Sequence, residues 1–297
     1  MDSPINLFKS SKGQSQYLTD YDAVMHLWPV TCDFHFINTA YGQIHVISCG
    51  PKDAFPLILL HAGYASSTMW FPNISELSKN YHVFAIDTIG EPGKSIPSRP
   101  YTTRLDNAKW IESVLDELGI LKTHVIGLSR GGWFTLNLAL HAPQRLSRIV
   151  LLSPAASFIQ LNSFFSTIVQ AVMHIPNKLV AKAALNSWVT RGFVINKIYA
   201  RQFITGLKNW NWAVNAKGYS GMMPCIFNNE DLSQIRTPVL LLIGDQDKLN
   251  PPEVIERAKK SISNLEAEII PHAGHFLSME QPDLVNSRIQ NFLDKEF

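Results

Sequence analysis

Short runs of consecutive apolar residues punctuate this chain at 56–61, 82–87, 124–127, 149–153 and 238–244. Runs without polar alternation fit strands covered on both faces, as in a parallel sheet packed under helices. Upstream, 32–47 predicts two strands around Thr39-Ala40-Tyr41-Gly42, a hairpin signal. Between the apolar runs the spacing changes to three and four residues. Ile111, Val114, Leu115 and Leu118 form one stripe, which predicts a helix over 103–118. Further helices are predicted over 133–141 and over 251–262, the latter opening on prolines suited to a first helical turn. Alternating strands and helices give the fold class: α/β, with an open, mostly parallel sheet flanked by helices.

From 155 to about 232 the alternation stops. No buried strand is predicted there, and aromatic residues recur at helical spacing, among them Phe158, Phe164, Phe165, Trp188, Phe193, Trp210 and Trp212. A helical insertion between two core strands predicts a cap over one end of the sheet. The expected organisation is therefore a core of residues 1–154 and 233–297 with a cap at 155–232. The aromatics either line a pocket under this cap or form its own core, two roles that look alike in sequence.

Composition narrows the partners. The chain has 297 residues, 46% of them hydrophobic and 17% charged, as expected for a globular domain with a sizeable core. Net charge is +2 and the basic residues are scattered, so neither nucleic acid nor an anionic membrane surface is an expected partner. Cys32, Cys49 and Cys225 are too widely spaced for a disulfide framework or a zinc site. No apolar stretch has signal-peptide or membrane-spanning length, and the expected location is cytoplasmic.

The candidate chemistry centres on Gly127-Leu128-Ser129-Arg130-Gly131. An apolar strand leads into it and a helical segment follows. A serine on such a sharp turn needs small neighbours two positions away, and the turn lifts Oγ out beside a helix N-terminus. The pattern alone is common, and context gives it weight. A serine hydroxyl needs a base, and the base needs a third group to orient it. Leu240-Leu241-Leu242-Ile243-Gly244 is followed by Asp245-Gln246-Asp247, and later by Ala273-Gly274-His275-Phe276. The order nucleophile, acid, histidine is the one associated with strand–turn–helix serine enzymes. Asp247 is preferred to Asp245, which directly follows the strand and suits bracing the turn. A surface or structural role is expected for His272.

With these residues the sequence resembles the α/β-hydrolase superfamily and, within it, bacterial carboxylesterases with a helical cap, from about Cys32 to the C-terminus. The resemblance implies an acid at the fourth position of a G-x-x-D turn, here Gly244 to Asp247. It implies a histidine after a glycine and before E-x-P, here Gly274-His275 before Glu280-Gln281-Pro282. It further implies an oxyanion hole from His61-Ala62-Gly63-Tyr64, with the Gly63 N–H as donor beside the Arg130 N–H. Ala62 stands where the family commonly has glycine. Asp87-Thr88-Ile89-Gly90-Glu91-Pro92-Gly93-Lys94-Ser95 resembles the family's structural D-x-x-G-x-G-x-S turn with one extra residue, and no catalytic role is assigned to it.

The expected function is a serine carboxylesterase acting on small to medium, largely apolar esters through an acyl-enzyme on Ser129. No metal or organic cofactor is required, and the expected partner is a small-molecule ester. Tyr64, Phe158, Trp188, Trp210 and Trp212 are the candidate substrate-binding residues. Two other roles use the same residues: a serine-dependent carbon–carbon bond hydrolase or perhydrolase, and a ligand receptor with little turnover.

Overall fold

All five apolar runs become strands of one sheet in the computed structural model, which describes residues 5–161, 167, 177–211 and 226–295. The first half of the chain runs α1 (Ser11–Met25), β1 (Asp33–Thr39), β2 (Gly42–Cys49), β3 (Pro56–Leu60), α2 (Ile74–Asn80), β4 (His82–Ile86) and β5 (Ile96–Pro97). Next come α3 (Arg104–Glu117), β6 (Thr123–Leu128), α4 (Arg130–His141) and β7 (Leu146–Leu152). Beyond β7 the described helices are α5 (Lys178–Ser187), α6 (Lys197–Asn209) and α7 (Asn229–Ser233). The chain closes with β8 (Val239–Gly244), α8 (Glu253–Ser261), β9 (Leu265–Ile270), α9 (Leu277–Glu280) and α10 (Pro282–Leu293).

The strand order is β1-β2-β4-β3-β6-β7-β8-β9, with β5 paired to β2. β1, β2 and β5 pair antiparallel, whereas the neighbours from β4 to β9 are parallel. β6, β7 and β8 are buried at every position, which is why they read as unbroken apolar runs. β9 lies at the edge, is partly exposed, and carries Glu266 and Glu268. From β3 the chain passes to β4 on one side, and β6 lies on the other. This reversal opens a crevice at the carboxyl ends of β3 and β6, where ligands bind in open α/β sheets.

Among the described residues of 155–232 the regular elements are helices joined by turns, and none forms a strand of the sheet. α6 packs on α1, with Tyr17 of α1 lying against Gly206. The Gln202 amide of α6 is buried, donates to Ser66 Oγ (3.0 Å) and accepts from Thr68 Oγ1 (2.8 Å) in the loop after β3. No described helix is long and apolar enough to cross a membrane.

Candidate active site

Three loops at the carboxyl edge of the sheet bring the predicted residues together. The first is the turn between β6 and α4. Ser129 has φ 55° and ψ −114°, a strained conformation for a residue with a side chain. Packing enforces it. A Cβ on Gly127 would lie 2.2 Å from the Gly131 carbonyl oxygen, and one on Gly131 would lie 2.1 Å from that of Leu60. Any side chain at either position would drive β6, α4 and β3 apart. The Ser129 N–H donates to the Leu152 carbonyl (2.8 Å), tying the turn to β7.

The second loop follows β8. The Asp247 N–H donates to the Gly244 carbonyl (3.1 Å), closing a turn that aims the Asp247 carboxylate along the sheet edge. Asp245 instead accepts from the Ala273 N–H (3.1 Å) and braces the third loop, which follows β9. There His275 donates its own N–H to the Trp188 carbonyl (2.7 Å). Glu280 accepts from the amides of Gly274 (3.0 Å) and Thr190 (2.6 Å). The E-x-P glutamate thus joins the histidine loop to the segment after α5.

The three side chains form one buried chain of hydrogen bonds. Ser129 Oγ lies 2.8 Å from His275 Nε2. His275 Nδ1 lies 3.2 and 3.1 Å from the two Asp247 oxygens. Asp247 also accepts from the Leu249 N–H (2.9 Å) and from Asn250 Nδ2 (2.8 Å). Burial alone would push the Asp247 carboxyl up. His275 and these hydrogen bonds outweigh it and hold the group below its ordinary value. The carboxylate is therefore kept ionised where it can orient an imidazole and stabilise its positive charge.

Facing Ser129 is the loop 61–64. The Thr88 N–H donates to His61 Nε2 (2.9 Å), so His61 Nδ1–H is the donor to the Ala62 carbonyl (2.7 Å). Burial lowers the His61 pKa, in keeping with a neutral ring that clamps this turn. A Cβ on Gly63 would lie 3.4 Å from Arg130 Cδ, which places Gly63 against the start of α4. The Arg130 N–H is the first amide of α4, directly after Ser129.

Between these loops lies a cavity of about 40 Å³, lined by Ala62, Gly63, Tyr64, Ser129, Arg130 and Ala155, with Leu161, Trp188, His275 and Phe276. Of the candidate substrate-binding residues, Tyr64 and Trp188 reach it. Phe158 and Trp210 do not. Phe158 is buried in the hydrophobic core, and Trp210 packs edge-on against Phe8 (5.8 Å between ring centroids). Trp212 lies outside the described residues. His272 is exposed, at φ 54°, with its carbonyl accepting from Gln281 Nε2 (3.1 Å). Sequence reasoning missed Asn250 and Glu91. Asn250 carries no motif, and the signal for Glu91 was the extra residue in the turn after β4.

Comparison with known proteins agrees with this architecture. A model of the alpha/beta hydrolase family matches residues 57–288. The chain is 39% identical over 282 residues to the uncharacterized carboxylesterase nap of Bacillus subtilis, covering 95% of this chain and 93% of that one. It is 35% identical over 288 residues to carboxylesterase YbfK of the same organism, covering 96% of each. The crystal structure of YbfK, also called CesB, superposes with a TM-score of 0.92, covering 96% of this chain and all of that one. Likeness at this level over nearly the whole of both chains supports a serine carboxylesterase function. The chain belongs to the alpha/beta hydrolase family, on the side of its ester-hydrolysing carboxylesterases.

Proposed function

We propose that Ser129, His275 and Asp247 are the catalytic residues of this esterase and that the Gly63 and Arg130 amides form its oxyanion hole. The observation that carries the assignment is the 2.8 Å contact between Ser129 Oγ and His275 Nε2, with Asp247 on the far nitrogen. His275 takes the hydroxyl proton as Oγ attacks the ester carbonyl, and the two amides stabilise the tetrahedral oxyanion. The same imidazole protonates the departing alcohol, leaving an acyl-enzyme on Ser129. A water deprotonated by His275 then attacks the acyl carbonyl and releases the acid and free Ser129.

Ala62, Ala155, Leu161, Trp188 and Phe276 give the cavity an apolar wall, which suits small to medium, largely apolar esters. Trp188 and Leu161 belong to 155–232, and we assign that region the part of a cap over the site.

The test is hydrolysis of short and medium p-nitrophenyl esters by the wild type and by Ser129→Ala. The expected result is turnover by the wild type that falls at least about a thousandfold in the variant. Turnover that survives the substitution would overturn the nucleophile assignment. A vinylogous diketone in the same panel reads out carbon–carbon cleavage.

A further inference from the structure

Glu91 is 2% exposed and sits in the turn after β4, beside neither Ser129 nor His275 in sequence. Its carboxylate bridges the two segments that carry the oxyanion donors. One oxygen accepts from the Tyr64 N–H (2.8 Å), the amide directly after Gly63. The other forms an ion pair with Arg130 Nη1, from the residue directly after the nucleophile. The Arg130 guanidinium also reaches Tyr101 Oη (3.3 Å) and lies over the Phe134 ring.

Both contacts bear on geometry. Tyr64 has φ 64°, so the chain reverses sharply just beyond Gly63. Pinning the Tyr64 amide to Glu91 fixes the peptide that follows Gly63, and with it the loop whose Gly63 amide is assigned to the oxyanion hole. Arg130 is a cation at the first position of α4, where the helix dipole opposes positive charge. Burial disfavours that charge as well, and the Glu91 carboxylate outweighs it. An Arg130 side chain held at its tip in turn holds the backbone whose N–H faces the oxyanion.

We infer that Glu91 is a positioning residue for the oxyanion hole, clamping the Gly63 loop and the Ser129 turn at one fixed separation. This rests on the assignment of Ser129 as nucleophile and of the Gly63 and Arg130 amides as donors. Two donors are worth most when neither has to move as charge develops on the substrate oxygen. The one-residue expansion of the D-x-x-G-x-G-x-S turn falls between Gly90 and Gly93, where Glu91 stands.

The test is Glu91→Gln, which keeps the shape but leaves a single acceptor for two donors. Titration with a fluorophosphonate counts functional Ser129, and rates are expressed per titrated site. The expected result is a 10- to 100-fold loss of kcat on p-nitrophenyl butyrate with KM within about threefold. An alkylboronic acid, whose tetrahedral adduct places an oxygen in the hole, is expected to lose affinity by a similar factor. The double variant Glu91→Gln/Arg130→Met removes the uncompensated charge, so it keeps the test open if the single variant does not fold. Its kcat is expected to stay at least tenfold low.

A kcat per titrated site within threefold of wild type, in either variant, would overturn the inference. So would a loss of kcat without loss of boronic acid affinity. Failure of the fluorophosphonate to label Ser129 in the wild type would instead overturn the assignment beneath it.

Discussion

Replacing Asp247 by Asn tests the electrostatics of the site most sharply, because the change is nearly isosteric and its effect follows from three donors around one carboxylate. The carboxylate accepts from His275 Nδ1, the Leu249 N–H and Asn250 Nδ2. An asparagine amide can offer an acceptor on one side only. Keeping the Leu249 bond puts its NH₂ in the place of Oδ2, 3.1 Å from His275 Nδ1 and 2.8 Å from the Asn250 amide nitrogen. Nδ1 then faces this NH₂ at 3.1 Å and the amide oxygen at 3.2 Å. A tautomer with its proton on Nε2, pointing at Ser129 Oγ, therefore competes with the productive one, and the charge that stabilises the imidazolium is gone. A base already protonated on its working nitrogen cannot take the serine proton. The expected loss is about 10⁴ in kcat, with KM little changed. This corresponds to about 5 kcal/mol of transition-state stabilisation. Initial rates on p-nitrophenyl butyrate near pH 7.5, with Tm measured alongside, give the answer. A folded variant within tenfold of wild-type kcat would refute the orienting role of Asp247.

Two further outcomes are expected. His124 is buried against Phe55 (4.6 Å between ring centroids), and burial together with the charge of Arg148 lowers its pKa to about 4. An unfolded histidine titrates near 6.5, so its contribution to stability is complete above about pH 6.5 and is lost as pH falls towards 4. The gap corresponds to about 3 kcal/mol, and His124→Phe should flatten the fall of the urea midpoint over that range. An unchanged slope would refute it. Trp188 lines the cavity and meets Phe203 and Phe276 edge-on (5.6 and 5.7 Å). Trp188→Ala should lower Tm and raise the preference for longer over shorter acyl chains at least about tenfold in kcat/KM, since each accommodated methylene is worth about 1 kcal/mol or more. A preference that does not move would place the acyl group elsewhere.

The alternation of apolar runs and helical stripes specified the central sheet because strands buried on both faces leave no polar position to blur the pattern. The five predicted runs match β3, β4, β6, β7 and β8 to within a few residues. β9 escaped because an edge strand carries Glu266 and Glu268 among its apolar residues. α1 escaped because its apolar residues are few and its packing on α6 is a long-range contact. The site was legible for a local reason. The glycines around Ser129 and the Gly244 turn are steric requirements of tight bends, and such requirements fall at fixed spacings. The aromatics were not legible in this way. Trp188 faces the cavity while Phe158 and Trp210 do not, and all three belong to the same run of aromatics at helical spacing.

By itself, then, the amino-acid sequence determined the α/β alternation, the order of Ser129, Asp247 and His275, and the glycines that let the chain turn at the first. The alternation and the glycine turn depend on bond geometry and periodicity within a few residues of one another. Only the tertiary structure decided that Asn250 steadies Asp247, that Glu280 links the histidine loop to Thr190, and that Glu91 reaches both Tyr64 and Arg130. Each of the last two joins segments that meet only when the sheet assembles. A buried carboxylate leaves no periodic trace, because the groups that satisfy it arrive from elsewhere in the chain.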